Sequence, residues 1–202
     1  MPYPVRYSAI DVPQHLVQRG HSRGAVFFSD DDRLFFLAAL DLASKRYQLS
    51  VYAYVLMTNH VHLLVQPRAP GAIPRTLQSV GRRFVPYVNS RQKRSGTIWE
   101  RRHHASLILS ERYIAVCHAY IELNPVRAGM VDDPRVYRWS SCQHYSGTRV
   151  DPVITESPMF SASGQTVADR RAVHANLLNA GVERARLERI RETVRLGGPF
   201  ED

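Results

Sequence analysis

His60 and His62 stand two residues apart, and Tyr120 and Asn124 stand four apart. Alternate side chains of a strand point to the same face. Both imidazoles would therefore share one side of a sheet, while Val61, Leu63 and Val65 anchor the other. Two imidazole nitrogens on a rigid element are the beginning of a divalent-cation site, where the ion acts as a Lewis acid. A bare His-X-His pair is more often two ordinary histidines on a half-exposed strand. It acquires chemical meaning only with a third ligand and a nucleophile.

Tyr120 and Asn124 would share a face if they lie on a helix. A phenol can attack phosphorus and hold a covalent phosphodiester, provided that a nearby cation or base offsets its ordinary pKa of about 10. The Asn124 carbonyl oxygen is a candidate third ligand, although Pro125 behind it sets Asn124 at or just past the helix end. The plainer reading of Tyr120 is a core or rim aromatic. Tyr113, seven residues earlier, lies on nearly the same face, and spacing does not choose between the two. Cys117 and His118 have no partner readable from the sequence and are read as structural.

The chain of 202 residues carries a formal charge of +9, and 44% of its residues are apolar. That is enough to build a core, and the length fits one domain with an extension. Between Arg68 and His104 nine basic residues face a single acid, Glu100, and Tyr87, Trp99, His103 and His104 interleave with them. Cations for phosphates and rings for unstacked bases are what a single-strand or hairpin DNA binder needs. Crowding one sign of charge on a merely solvated face would cost stability through self-repulsion. Two cysteines, Cys117 and Cys142, are too few for a disulfide framework or a cysteine-based zinc site, and a reducing setting fits them. The first residues show no apolar stretch of leader length, and no run approaches membrane-spanning length. The expected protein is cytoplasmic, with no membrane partner.

The elements that must position these residues follow from periodicity. Strands are predicted at His15–Gly20, Leu49–Leu56, His60–Gln66 and Ala105–Leu109, the middle two joined by a Thr58-Asn59 turn. A helix starts at Ser29 and the acids Asp30–Asp32 and runs to about Arg46. A second spans Ala72–Arg91, with Pro86 a candidate kink or end. A third starts at Glu111 behind Ser110 and stops at Asn124-Pro125. The order strand, helix, strand, strand, helix, strand, helix predicts an α+β fold: a ferredoxin-like antiparallel sheet with packed helices. After Gly147 the composition turns to Ser, Pro, Gly and Thr as far as Gln165, and Val167–Leu178 and Val182–Leu196 read as short basic helices. The division expected is a domain over 1–147, then a linker and basic helical extension over 148–202.

Together these residues resemble the REP-associated tyrosine transposases, a branch of the single-tyrosine HUH transposases. The resemblance rests on VYAYVLMTNHVHLLV at Val51–Val65, SVGRRFVPYVN at Ser79–Asn89, GTIWERR at Gly96–Arg102 and SERYIAVCHAYIELNPVRAGMV at Ser110–Val131. VQRGHSRG at Val17–Gly24, YRWSS at Tyr137–Ser141 and a weaker echo in Leu187–Phe200 add to it. It implies a bacterial enzyme that cuts and rejoins single-stranded DNA near palindromic hairpins through a 5′-phosphotyrosine. By resemblance the nucleophile falls on Tyr120 and the ligands of Mg²⁺ or Mn²⁺ on His60, His62 and Asn124. No nucleotide cofactor is implied. Arg19, Arg23, Arg82, Arg83, Arg101 and Arg102 are the candidate DNA contacts. His21 stands where asparagine is common in the family, and His103-His104 where an aromatic-basic pair is usual, which bears on the DNA sequence preferred.

Three other readings compete. A catalytically silent DNA-binding protein derived from a transposase would keep the basic surface and form no covalent adduct. A nicking enzyme of replication or conjugation would share the histidine pair without the YIELNPVRAG context. A water-using metal hydrolase would need carboxylates near the histidines, and Val51–Arg94 contains no Asp or Glu. Whether the protein is a monomer or a dimer is open at this level.

Overall fold

Strand β1 (Gln14–Arg19) passes through a single 3-10 turn at His21–Arg23 to helix α1 (Asp30–Tyr47). Ser29 opens α1 with a capping box: its hydroxyl accepts from the Asp32 amide, and the Asp32 carboxylate accepts from the Ser29 amide. Gln48, in the left-handed conformation, ends α1. β2 (Leu49–Met57) and β3 (His60–Pro67) then form the expected hairpin. α2 (Ala72–Arg91), β4 (His104–Leu107) and α3 (Glu111–Glu122) follow, α3 capped by the Ser110 hydroxyl. The remainder is helical in short pieces: α4 (Asn124–Arg127), α5 (Cys142–Tyr145), α6 (Pro158–Ala162), α7 (Val167–Ala180) and α8 (Arg184–Leu196). This computed structural model describes residues 9–196 and 199. The first eight residues, read above for a leader, and part of the Leu187–Phe200 echo fall outside them.

The four strands form one antiparallel sheet in the order β2-β3-β1-β4, the ferredoxin-like arrangement. The core is nearly continuous along the hairpin: Val61, Leu63 and Val65 are buried as the alternation requires, and so is most of β2. α1 and α2 pack on each other and on β2, and Phe27, Phe36, Phe84 and Trp99 form a buried ring cluster beside them.

α2 continues through Pro86 to Arg91 rather than ending there. The proline removes one donor from the helix ladder, but Pro86 and Arg82 are both exposed, so water can serve the carbonyl left free. α3 stops at Glu122, just before the expected Asn124-Pro125 end; Asn124 is itself helical and opens a separate short turn with Pro125 in its first positions, where a missing N–H leaves no helix bond unmade.

The segment after Gly147 is tied to the sheet. Tyr54 Oη donates to the Asp151 carboxylate at 2.5 Å, the Thr155 amide donates to the Val51 carbonyl, and Val153 and Ile190 join the main core.

Candidate active site

Strand register does the positioning. Residues directly opposite in neighbouring strands share a face, and Arg19 pairs with His60 while Val17 pairs with His62. Val17 is also opposite His104 on β4. His15, two residues before Val17, falls on the same face. Helix α3 lies over it: the Tyr120 ring centroid is 5.7 Å from that of His62 and 5.8 Å from that of His15, edge-on to both. His60, His62, Tyr120 and Asn124 wall a cavity of about 470 Å³. Arg19 and Glu100 join from the sheet end, and Arg191 and Val194 from α8.

The histidines are held neutral. Burial lowers His60 to about 4, and the Arg19 charge pushes the same way. Burial lowers His62 well below the imidazole range, with His15, His60, Arg127 and Arg19 adding to it. His15, fully buried, falls to about 3 by desolvation. Near pH 7 all three therefore keep lone pairs.

For His60, hydrogen bonds decide which nitrogen offers its lone pair. His60 Nδ1 is 2.7 Å from Asn59 Oδ1, and the Asn59 amide is oriented by donating from Nδ2 to the Arg23 carbonyl at 2.9 Å. An amide oxygen only accepts, so His60 Nδ1 carries the proton and Nε2 keeps the free lone pair. His62 Nδ1 is 2.8 Å from His15 Nε2, one proton serving both. With that proton on His62, its Nε2 is free in the same way. His15 Nδ1 is then a buried atom without a hydrogen-bond partner among the described residues.

Tyr120 is fixed from behind by Arg127. The guanidinium sits 4.3 Å from the ring centroid, and its Nη2 donates to the Tyr120 carbonyl at 2.5 Å. Tyr113, which spacing left as an equal candidate, lies instead beneath Arg189 of α8, 6.0 Å from its guanidinium. It takes no part in the cavity wall.

Of the candidate DNA contacts, Arg19 lines the cavity. Arg23 is exposed and lies beside Asn59, and exposed Arg101 and Arg102 directly follow Glu100, whose amide donates to the Arg19 carbonyl. These four gather at the end of the sheet where β1 finishes and β3 and β4 begin. Arg82 and Arg83 project from exposed positions of α2 and do not line the cavity. Sequence reasoning missed His15, Glu100, Arg127 and Arg191. For His15 the signal was present, since strand alternation from Arg19 through Val17 reaches it. For Arg191 there was none, because nothing local says where α8 docks.

The family model described as Transposase IS200 like matches residues 8–124, more than half of the chain, and includes all four of His60, His62, Tyr120 and Asn124. The chain belongs to the IS200-like transposase family. An IS200-like transposase is an enzyme that acts on DNA, and the neutral imidazoles of this one suit a divalent cation. A solved REP-associated tyrosine transposase bound to a REP hairpin is similar in fold, with a TM-score of 0.62 at 15% identity over 79% of this chain and 93% of that one. A provisionally named transposase of Deinococcus radiodurans aligns at 20% identity, with a TM-score of 0.41 over 60% of this chain and 96% of that one. No curated protein matches the chain. Among the described residues no helix is long and apolar enough to cross a membrane.

Proposed function

We propose that this transposase cleaves and rejoins single-stranded DNA near palindromic hairpins, with Tyr120 as covalent nucleophile and His60, His62 and Asn124 as the ligands of Mg²⁺ or Mn²⁺. The observation that carries the reading is the packing of Tyr120 edge-on against His62 inside one cavity of a single chain. No carboxylate stands among those three ligands, which leaves the cation its charge to spend on a phosphate. When bound there, the cation supplies polarisation of a non-bridging phosphate oxygen and offsets charge building on phosphorus.

The chain's own residues do the rest. His60 and His62 present neutral nitrogens, the His60 tautomer set by Asn59 and His62 sharing a proton with His15. Arg127 holds the Tyr120 ring and backbone in place. Tyr120 Oη forms a bond to phosphorus as the phosphorus–O3′ bond breaks. The phenol proton passes to solvent, and the departing 3′ oxygen takes one up. The 5′ end stays on the protein as a phosphotyrosine, which conserves the phosphodiester energy. Attack by a second 3′-hydroxyl reverses the step on a new strand, so no nucleotide cofactor is consumed. Arg19, Arg23, Arg101 and Arg102 offer the phosphate contacts nearest the cavity, and Arg82 and Arg83 extend the basic surface along α2.

The test is incubation of the protein with 5′- and 3′-labelled hairpin oligonucleotides from the DNA flanking its own gene, with Mn²⁺, followed by a denaturing protein gel. The expected result is a covalent band carrying the label of the 3′ fragment, absent with Tyr120→Phe and with EDTA. Retarded DNA without any covalent band, across several hairpins and with both Mg²⁺ and Mn²⁺, would establish the catalytically silent binder instead.

A further inference from the structure

Two residues on either side of Tyr120, at a helical offset of about 200° from it, α3 carries His118 and Glu122. His174 of α7 meets them. His118 Nε2 is 3.1 Å from Glu122 Oε1, and His174 Nε2 is 2.7 Å from Glu122 Oε2. One donor atom from each of the three lies within 4.8 Å of the others. Exposure is 1% for His118, 0% for Glu122 and 3% for His174. None of them lines the cavity that holds His60 and His62.

We propose that His118, Glu122 and His174 form a second, structural site for a divalent cation of the zinc class, which clips α7 to the back of the helix that carries Tyr120. Two imidazoles and a carboxylate are a zinc-type donor set, bound at about 2.0–2.2 Å from each donor. Donors grouped this closely need only small outward movements to surround such an ion. Ser141 Oγ donates to Glu122 Oε1 at 2.5 Å and orients that carboxylate.

Charge supports the same conclusion. The ion pairs of Glu122 among the described residues are with these two histidines alone, and no Arg or Lys joins them. A buried carboxylate is expensive unless a positive charge accompanies it. That charge is either an imidazolium or a bound cation. The surroundings exclude water: the Tyr145 ring lies 4.5 Å from His118 and 5.3 Å from His174, with Phe160 4.6 Å beyond it. Docking of α7 closes the pocket, so the ion would enter as the chain folds.

This inference does not depend on the phosphotyrosine reading, and its test is arranged to separate them. The full chain carrying His60→Ala and His62→Ala, which silences the other histidine pair, is unfolded with chelator, refolded with Zn²⁺ alone and dialysed. The expected result is one zinc per chain and a Tm about 5–10 °C above that of the zinc-free protein at hundredfold excess over Kd. Adding His174→Gln, which keeps an amide donor toward Glu122 but ligates zinc poorly, removes the bound ion and the zinc-dependent shift while the far-ultraviolet circular dichroism stays unchanged. If that variant does not fold, His118→Gln is read in the same way. A parent chain that retains no zinc and melts at the same temperature with and without it overturns the proposal and leaves the imidazolium as the counter-charge. Zinc retained equally by the glutamine variants overturns it as well.

Discussion

His15 Nε2 and His62 Nδ1 meet at 2.8 Å across two neighbouring strands, both side chains buried. The contact engages His62 Nδ1, so Nε2 is the nitrogen that offers a lone pair when the shared proton sits on His62. Without an acceptor at His15, the His62 ring loses the partner that shares a proton with its Nδ1. Outer partners of this kind are worth about 10–100-fold in metal affinity. His15→Phe, which preserves bulk and removes the acceptor, is expected to weaken Mn²⁺ binding by that amount while the fold persists. His15→Gln, whose amide oxygen can accept, should recover part of the loss. Calorimetric titration with Mn²⁺ in the His174→Gln background reads this site alone. An unchanged affinity in His15→Phe would show that the contact does not set the ligand.

Arg127 packs directly on Tyr120, the proposed nucleophile. Its guanidinium covers the Tyr120 ring at 4.3 Å and ties down the Tyr120 carbonyl. Cation–π contact of a partly desolvated guanidinium contributes roughly 0.5–2 kcal/mol. Arg127→Ala should slow formation of the covalent DNA adduct about tenfold, equivalent to about 1.4 kcal/mol. Arg127→Lys keeps the charge and loses the flat stacking surface, so it should recover less than half of that. Single-turnover adduct formation on a labelled hairpin gives the rates. A lowered Tm with an unaltered rate would make the contact structural only.

The sheet and the site were legible to different depths. His60 and His62 declared themselves because a strand has a period of two, and the buried Val61, Leu63 and Val65 confirm that phase. Ser29 and Ser110 fixed helix starts because caps are local effects, and Pro125 marked the break after α3 because it has no N–H to offer the preceding turn, although Asn124 before it is helical. Tyr120 was not separable from Tyr113 by spacing, since seven residues return a helix to nearly the same face. What separates them is tertiary, namely which one meets His62 and which one meets Arg189. The same limit applies to His118 and His174, 56 positions apart in the chain, whose contact through Glu122 depends on how α7 docks. Pro86 shows the converse: a strong local breaker loses to the packing of Val80, Phe84 and Val88 on the buried side of α2.

Acid should destabilise the protein before its carboxylates titrate. His15 and His60 fall to about 3 and about 4 in the folded chain, and His62 falls in the same direction. A histidine whose folded pKa lies below its unfolded value of about 6.5 leaves the unfolded chain to take up protons first. Stability is therefore unaffected above that value and is lost as pH falls from about 6.5 toward 4. At about 1.36 kcal/mol per unit, one such histidine costs about 2 kcal/mol at pH 5. Glu122, held below its ordinary range, adds losses only beneath the unfolded carboxylate value of about 4.3. Urea unfolding of the metal-free protein at pH 7.5 and pH 5.0 should show a drop of several kcal/mol. Equal stabilities at the two values would mean that the three rings are not held neutral.

The arginines divide by position, and DNA binding should divide with them. Arg101 and Arg102 lie at the sheet end next to Glu100 and the cavity, whereas Arg82 and Arg83 stand on α2 outside it. A side chain that neutralises a phosphate of a single strand contributes about 0.7 to the slope of log affinity against log salt, and about 0.9 on a duplex. Arg101→Ala with Arg102→Ala is expected to lower the slope for hairpin DNA by about 1.4–1.8 and to weaken binding similarly across sequences. Arg82→Ala with Arg83→Ala should change the slope by less than half as much if the strand enters the Tyr120 cavity from the sheet end. Fluorescence anisotropy with a labelled hairpin between 50 and about 300 mM salt measures both. Equal losses for the two pairs would place the DNA across α2 as well, and a larger loss for Arg82 and Arg83 would move the binding track off the sheet end altogether.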